Sequence, residues 1–172
     1  MIVLPPLLGA AAEDGRGDLV LDRGDVVDER LLQDQLGVQQ VFHQVAQRPG
    51  KPLWFGATDS GKVVFGLPGN PVSTFLCAYR YLVPWLKASL DMELLPPRRV
   101  RLSQPVTFHP TITYFLPVSL STDETGIGWA RPLPGSSSAD YANLVQCNGF
   151  VELPADRSEF NAGEAFPVWE FR

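Results

Sequence analysis

The nine residues Phe65-Gly66-Leu67-Pro68-Gly69-Asn70-Pro71-Val72-Ser73 place a strand end, a tight turn and a helix start in immediate succession. Val63 to Leu67 reads as a buried strand. Pro68-Gly69 is a turn. Asn70 suits an N-cap and Pro71 the first helical position, where the N–H that proline lacks has no helical partner anyway. Such a junction aims backbone N–H groups at one spot, a setting for an anion. Ser73 adds a hydroxyl donor, and Gly66 and Gly69 allow a ligand or a second backbone to come close. The same junction also serves as plain architecture in α/β proteins, so its local features leave both readings open.

The helix after it is set by spacing. Val72, Phe75, Leu76, Tyr79, Leu82, Val83, Leu86 and Leu90 recur at helical intervals. Cys77 falls on that face and reads as a small core residue. Pro84 predicts a kink or the end of the regular part. So wide an apolar stripe is core, not a cofactor box. Upstream, Asp25 to Leu36 has a helical pattern, with Asp25 or Asp28 as cap and Gly37 as stop. Val38, Val41, Phe42 and Val45 suggest a strand, and Leu53 to Gly56 another, followed by the turn Asp59-Ser60-Gly61-Lys62. Residues 1–24 stay unassigned. Their Pro, Ala and Gly/Asp content suggests poor order, with Leu19-Val20-Leu21 as one short strand candidate.

The pattern changes at Leu94-Leu95-Pro96-Pro97. After it come short β-like runs: Arg99 to Leu102, Val106 to Phe108, Ile112 to Leu120, Ile127 to Arg131, Phe150 to Leu153 and Ala165 to Phe171. One short amphipathic piece, Ala139 to Val145, follows Ser138 as a possible cap. The expected organisation is an α/β region over 25–93 and an all-β domain over 94–172.

Bulk composition narrows the function. With 172 residues and 45% hydrophobic content, the chain can bury a core. Its net charge of −5, from 14 basic and 19 acidic residues, argues against a nucleic-acid surface. No run of 18 apolar residues spans a membrane. Met1 to Ala12 lacks a basic start and makes a poor signal peptide. Cys77 and Cys147 form no CxxC pair, which speaks against a zinc site and for a reducing, cytoplasmic setting. His43 and His109 lack metal spacing and read as structural or surface residues.

Three features suit an oxyanion. One is the junction of Gly66, Pro68, Gly69, Asn70, Pro71 and Ser73. The second is Arg48-Pro49-Gly50-Lys51-Pro52, two cations on a stiff loop: arginine fits a phosphate bidentately, lysine as a point charge. The third is the donor run Ser136, Ser137 and Ser138. Each also has a plain reading, as solvated loop charges or as a capped turn. Asp25, Asp28 and Asp59 are carboxylates that Mg2+ can use alongside phosphate, though capping and surface roles serve them equally. No Walker loop, dinucleotide fingerprint or Ser-His-Asp arrangement is present.

Leu36-Gly37-Val38, Phe42 to Gly56 with its Pro-Gly-Lys-Pro, and Gly-Leu-Pro-Gly-Asn-Pro-Val-Ser at 66–73 together resemble the molybdopterin molybdenumtransferases, the MoeA-type proteins related to the gephyrin E domain. Arg131 to Ser136, Asn148 to Pro154 and Asn161 to Glu164 resemble that family's C-terminal β domain. The resemblance covers Asp25 to Arg172. It implies the C-terminal part of a molybdopterin-binding α/β domain of MoaB/MogA type, then a small β-barrel-like domain. The family inserts molybdate into adenylylated molybdopterin and releases AMP, with Mg2+ or another divalent ion. It works as a homodimer with its site at the subunit interface. By resemblance, Pro68 to Ser73 line the pterin-phosphate site. Arg48 and Lys51 match cations near molybdate and phosphate, and Ser136 to Ser138 match a serine-bearing loop that approaches the site. Placement and charge compensation of both reactants would then be the chain's main contribution.

The departures from the family pattern are specific. Two further domains precede this part in full members. The family's Gly-Gly-Val-Ser segment should fall near Leu19 to Val27, where only Gly24 matches. The expectation is a chain truncated or misread at its front and inactive alone. The alternative is a non-catalytic pterin-binding or scaffold module of gephyrin type. A related adenylyltransferase domain is a third reading, but it leaves the β domain without a purpose.

Overall fold

A computed structural model describes residues 2–4, 36–133 and 141–172. The fold is α/β followed by a closed β-barrel.

The front sheet has the order β1 (Ile2–Leu4), β5 (Val63–Gly66), β4 (Trp54–Ala57), β2 (Gln39–His43), and every pairing in it is antiparallel. Strand β5 is buried at all four residues, as its apolar run predicts. Its outer edge would leave main-chain groups unpaired in the interior, and Ile2–Leu4 pairs with that edge. These three residues, within the unassigned 1–24 stretch, form a strand; the Leu19-Val20-Leu21 candidate lies outside the described residues, as does the helix from Asp25 up to Leu36. Strand β2 is the opposite edge, exposed at each position and bulged between Gln40 and Phe42. Val45, expected in this strand, lies beyond it, because Gln44 adopts φ +69° and breaks the extended run. Gly37 takes φ +60°, the conformation its reading as a helix stop requires.

Three helical segments follow without a gap: α1 (Pro71–Cys77), a π-helical stretch (Ala78–Leu82) and α2 (Val83–Ser89). The Val83 N–H bonds the Ala78 carbonyl, five residues back. The physical cause is Pro84. Without an N–H it cannot close the α-helical bond to Arg80, and its ring would press on that carbonyl, so the turn before it widens. Phe55, Val63, Phe65, Leu82, Trp85 and Leu86 pack this helix on the front sheet.

The barrel closes through five strands: β6 (Arg99–Leu102), β9 (Gly128–Pro132), β8 (Thr113–Thr122), β10 (Gly149–Leu153) and β12 (Ala165–Glu170), which pairs back to β6. Val100, Leu102, Leu116, Val118, Ala130, Val151, Leu153, Phe166 and Val168 alternate inward to fill it. β7 (Val106–Thr107) and β11 (Glu159–Phe160) form a small ribbon at one end. Gly149 sits where a Cβ would lie 3.0 Å from Val168 and 3.1 Å from Leu120. The Asn148 side chain accepts from the Leu120 N–H at 2.7 Å, so the Asn148-Gly149 pair ties β8 to β10.

The helix and the barrel share a second core. Phe115 and Phe150, on the outer faces of β8 and β10, pack with Leu76, Leu133 and Cys147. The short helix α3 (Tyr141–Gln146) adds Leu144 to the same cluster. Residues 139 and 140 and the proposed cap Ser138 lie outside the described residues. No helix among the described residues is long and apolar enough to cross a membrane.

Candidate functional site

Asn70 caps the helix as its sequence position predicts, with extended φ/ψ of −73° and 124°. Its Oδ1 accepts the Ser73 N–H at 3.1 Å and the Ser73 hydroxyl at 3.3 Å. Ser73 is thus buried and turned toward the cap, rather than outward as a donor for an anion. Thr74 closes the turn from below. Its hydroxyl bonds the Pro68 carbonyl and lies 3.1 Å from the Asn70 carbonyl. Gly66 ends β5 and Pro68 is buried, while Gly69 is exposed, with open space where a side chain would stand. Pro71 occupies the first helical turn. The junction is therefore rigid on its inner side and accessible at Gly69.

The second feature begins at β3 (Gln47–Arg48), which pairs in parallel with β8 of the barrel, Arg48 opposite Tyr114. Arg48 and Lys51 are both exposed, and their loop is closed by its own backbone. Val45 N donates to the Lys51 carbonyl at 2.9 Å, Leu53 N to the Gly50 carbonyl at 3.2 Å and Gln44 N to the Leu53 carbonyl at 2.9 Å. Burial pushes the Tyr114 hydroxyl above its ordinary pKa, and the nearby Arg48 charge opposes that shift. Tyr114 stacks on Phe108 with ring centres 4.2 Å apart, so Arg48 sits beside an aromatic pair.

The loop rests on the same helix that the junction starts. The Gln47 carboxamide contacts Cys77 at 3.8 Å and accepts the Tyr81 hydroxyl. Cys77 is six residues past Pro71, about 9 Å along the helix axis. One helix thus carries the junction at its N-terminus and the cationic loop along its side. Burial raises the Cys77 thiol to about 12, which marks it as inert packing, as its place on the apolar face predicts. Cys147 is likewise raised by burial and donates to the Gly149 carbonyl at 3.1 Å.

Further along, Arg80 lies over the Trp169 ring at 4.3 Å, with its Nε 3.5 Å from a Glu152 oxygen. Trp169 donates to the same oxygen at 2.7 Å. This group fastens the π-helical stretch to β10 and β12.

Ser136, Ser137 and Ser138 lie outside the described residues. Leu133 and Leu144, on either side of them, both pack in the cluster with Leu76 of α1. Asp25 and Asp28 also lie outside. Among the described residues no three metal-ligating side chains converge. Asp59 instead accepts from Gln39 at 3.2 Å in the β2–β4 region. Sequence reasoning did not single out Gln47, Tyr81 or Tyr114. A glutamine in a two-residue strand has no periodicity to mark it as buried.

Residues 99–171 match the family described as MoeA C-terminal region (domain IV), and residues 22–88 match the family described as probable molybdopterin binding domain. The chain belongs to the MoeA family. A curated molybdopterin molybdenumtransferase from Synechocystis is 42% identical over 136 residues, covering 78% of this chain and 32% of that one. A second, from Synechococcus elongatus, is 36% identical over the same span. A crystal structure of the molybdopterin biosynthesis MoeA protein of Pyrococcus horikoshii superimposes with a TM-score of 0.61 at 32% identity, covering 78% of this chain and 32% of that one. The chain spans about a third of the length of these MoeA relatives. The two family matches between them take in the cationic loop and the junction, within 22–88, and the barrel, within 99–171.

Proposed function

We propose that this chain acts in molybdenum cofactor biosynthesis, supplying the oxyanion-binding part of a molybdopterin molybdenumtransferase. The reaction is insertion of molybdate into adenylylated molybdopterin with release of AMP. The observation that carries this reading is the cationic loop braced on the very helix whose N-terminus is the Gly66–Ser73 junction. Molybdate and the pterin phosphate are both oxyanions. Arg48 and Lys51 offset their charge, and the helix start, with Gly66, Pro68, Gly69, Asn70 and Pro71, orients the phosphate. Ser73 contributes by holding the cap. Ser136, Ser137 and Ser138 belong to the same site in this proposal by the family resemblance of their loop. If Mg2+ is used, Asp25 and Asp28 are its candidates in this chain. A homodimer and a cytoplasmic setting complete the proposal, the latter supported by two free, buried cysteines.

Calorimetry with molybdopterin and its adenylylated form tests the binding. We expect saturable binding of both, and no molybdate-dependent AMP release by the chain alone above background, because its Gly-Gly-Val-Ser segment departs from the family pattern. Turnover should appear when the front domains of a family member are added. A folded chain that binds neither pterin sinks the reading and leaves the scaffold alternative. Arg48→Ala and Lys51→Ala should each weaken molybdate binding about tenfold, the scale of one charge-assisted contact. Their melting temperatures should match the native chain, since both side chains are exposed. Unchanged affinity in the double variant would return both cations to solvated loop charges.

A further inference from the structure

We infer that Gln47 is a positioning residue for the oxyanion loop, a latch that sets where Arg48 and Lys51 stand relative to the helix start; this rests on the oxyanion reading of that loop. Gln47 is one of two buried polar side chains in the described core, at 2% exposure. Its carboxamide is used at both ends. Nε2 donates to the Pro49 carbonyl at 3.1 Å and contacts the Cys77 sulfur at 3.8 Å, while Oε1 accepts the Tyr81 hydroxyl. One side chain thereby ties the floor of the Arg48–Lys51 loop to the helix at Cys77 and Tyr81. Neither leucine, which has no polar group, nor glutamate, which would bury a charge against the Pro49 carbonyl, can replace both ends at this length.

Gly50 is built to admit the latch. At φ +91° it holds a conformation that side chains avoid, and a Cβ there would lie 2.6 Å from Gln47 Nε2 and 2.8 Å from the Cys77 sulfur. The Cys77 thiol in turn faces the Gly50 carbonyl at 3.9 Å. Arg48 is next in sequence to Gln47, and Lys51 follows Gly50, so both cations project from a backbone pinned on its inner side. The latch removes the ordering that two mobile cations would otherwise undergo when an anion binds.

Gln47→Leu and Tyr81→Phe break the latch from opposite ends, the second by deleting a single hydroxyl. Each is made in the full chain, and alone and in the Arg48→Ala, Lys51→Ala background. Amide hydrogen exchange reads the loop, and calorimetry with sodium molybdate reads the site. In folded variants we expect the Val45 and Leu53 amides to exchange about tenfold faster while barrel amides such as Val118 keep their protection. Molybdate affinity should fall severalfold, and the same latch changes should cost nothing further once both cations are gone. Exchange or affinity that stays native in both folded variants overturns the latch. Exchange that responds as expected in a native chain that binds no molybdate overturns the oxyanion reading itself, and the assignment with it.

Discussion

Asn70 shows how much one short side chain can fix. Its single oxygen accepts both the amide and the hydroxyl of Ser73, satisfying an otherwise orphaned donor at the helix start. Asn70→Ala should cost about 1 kcal/mol, measured as a shift in the denaturation midpoint at unchanged slope. Asp123 plays a similar part between β8 and β9. It accepts from the Thr125 and Ile127 amides, the Thr125 hydroxyl and the Trp129 indole, which hold its carboxyl near 2 against an ordinary 3.8. A lowered carboxylate pKa stabilises the fold above the ordinary value, and that contribution is lost as pH falls through the folded one. The stability gap between the native chain and Asp123→Ala should therefore be level from about pH 7 to pH 5, then shrink and lose its charge-dependent part only at about pH 1, below the folded value. The same logic gives Glu164 its place. Its carboxyl is lowered chiefly by the Asn161 amide at 2.7 Å and by Arg157, so the Asn161 to Glu164 motif is a turn that closes on itself. The cap was legible in the residues; the inward turn of the Ser73 hydroxyl was not, because it depends on which neighbour reaches it first.

The helix is the element that joins everything else. Its existence and apolar face follow from spacing, and Pro84 announced an irregularity. Only the structure gives that irregularity its form, a π-helical stretch whose Arg80 reaches the Trp169 ring and the Glu152 carboxylate. Leu76, fully buried, contacts the outer faces of β8 and β10 through Phe115 and Phe150. Leu76→Ala should cost about 2–5 kcal/mol, read by chemical denaturation, because it opens a cavity between helix and barrel. Strands β4 and β6 were plain in the sequence as alternating or apolar runs. β3 and β11, of two residues each, were not, because periodicity needs more length than they have.

On the scale of the molecule, a closed barrel and a front sheet are fastened by one helix and by the β3–β8 pairing. Shared cores of this kind couple unfolding. Tryptophan fluorescence, with Trp54 and Trp85 on the front side and Trp129 and Trp169 on the barrel, should lose structure at the same urea concentration as far-UV circular dichroism. In Leu76→Ala both midpoints should fall together to lower urea, since the weakened tie still couples the helix and the barrel. The strands at 54–57, 63–66 and 99–102 and the long helix after Asn70 were legible from the sequence. The barrel was implied by the family resemblance and not by any local pattern, because β10 pairing with both β8 and β12 is a long-range choice that leaves no local trace.

The sequence by itself determined the local pieces. It set the capped junction at 66–73, the two cations of the Arg48–Lys51 loop, the apolar helix face and the short strands that follow, because each is written in residues close together along the chain. The tertiary structure decided what those pieces do together. It set the loop against Cys77 and Tyr81, used Gln47 as the tie and gave Ile2–Leu4 to the open edge of β5. These outcomes turn on buried polar groups finding partners 30 or more residues away, and burial is a property of the packed molecule, not of any window of its sequence.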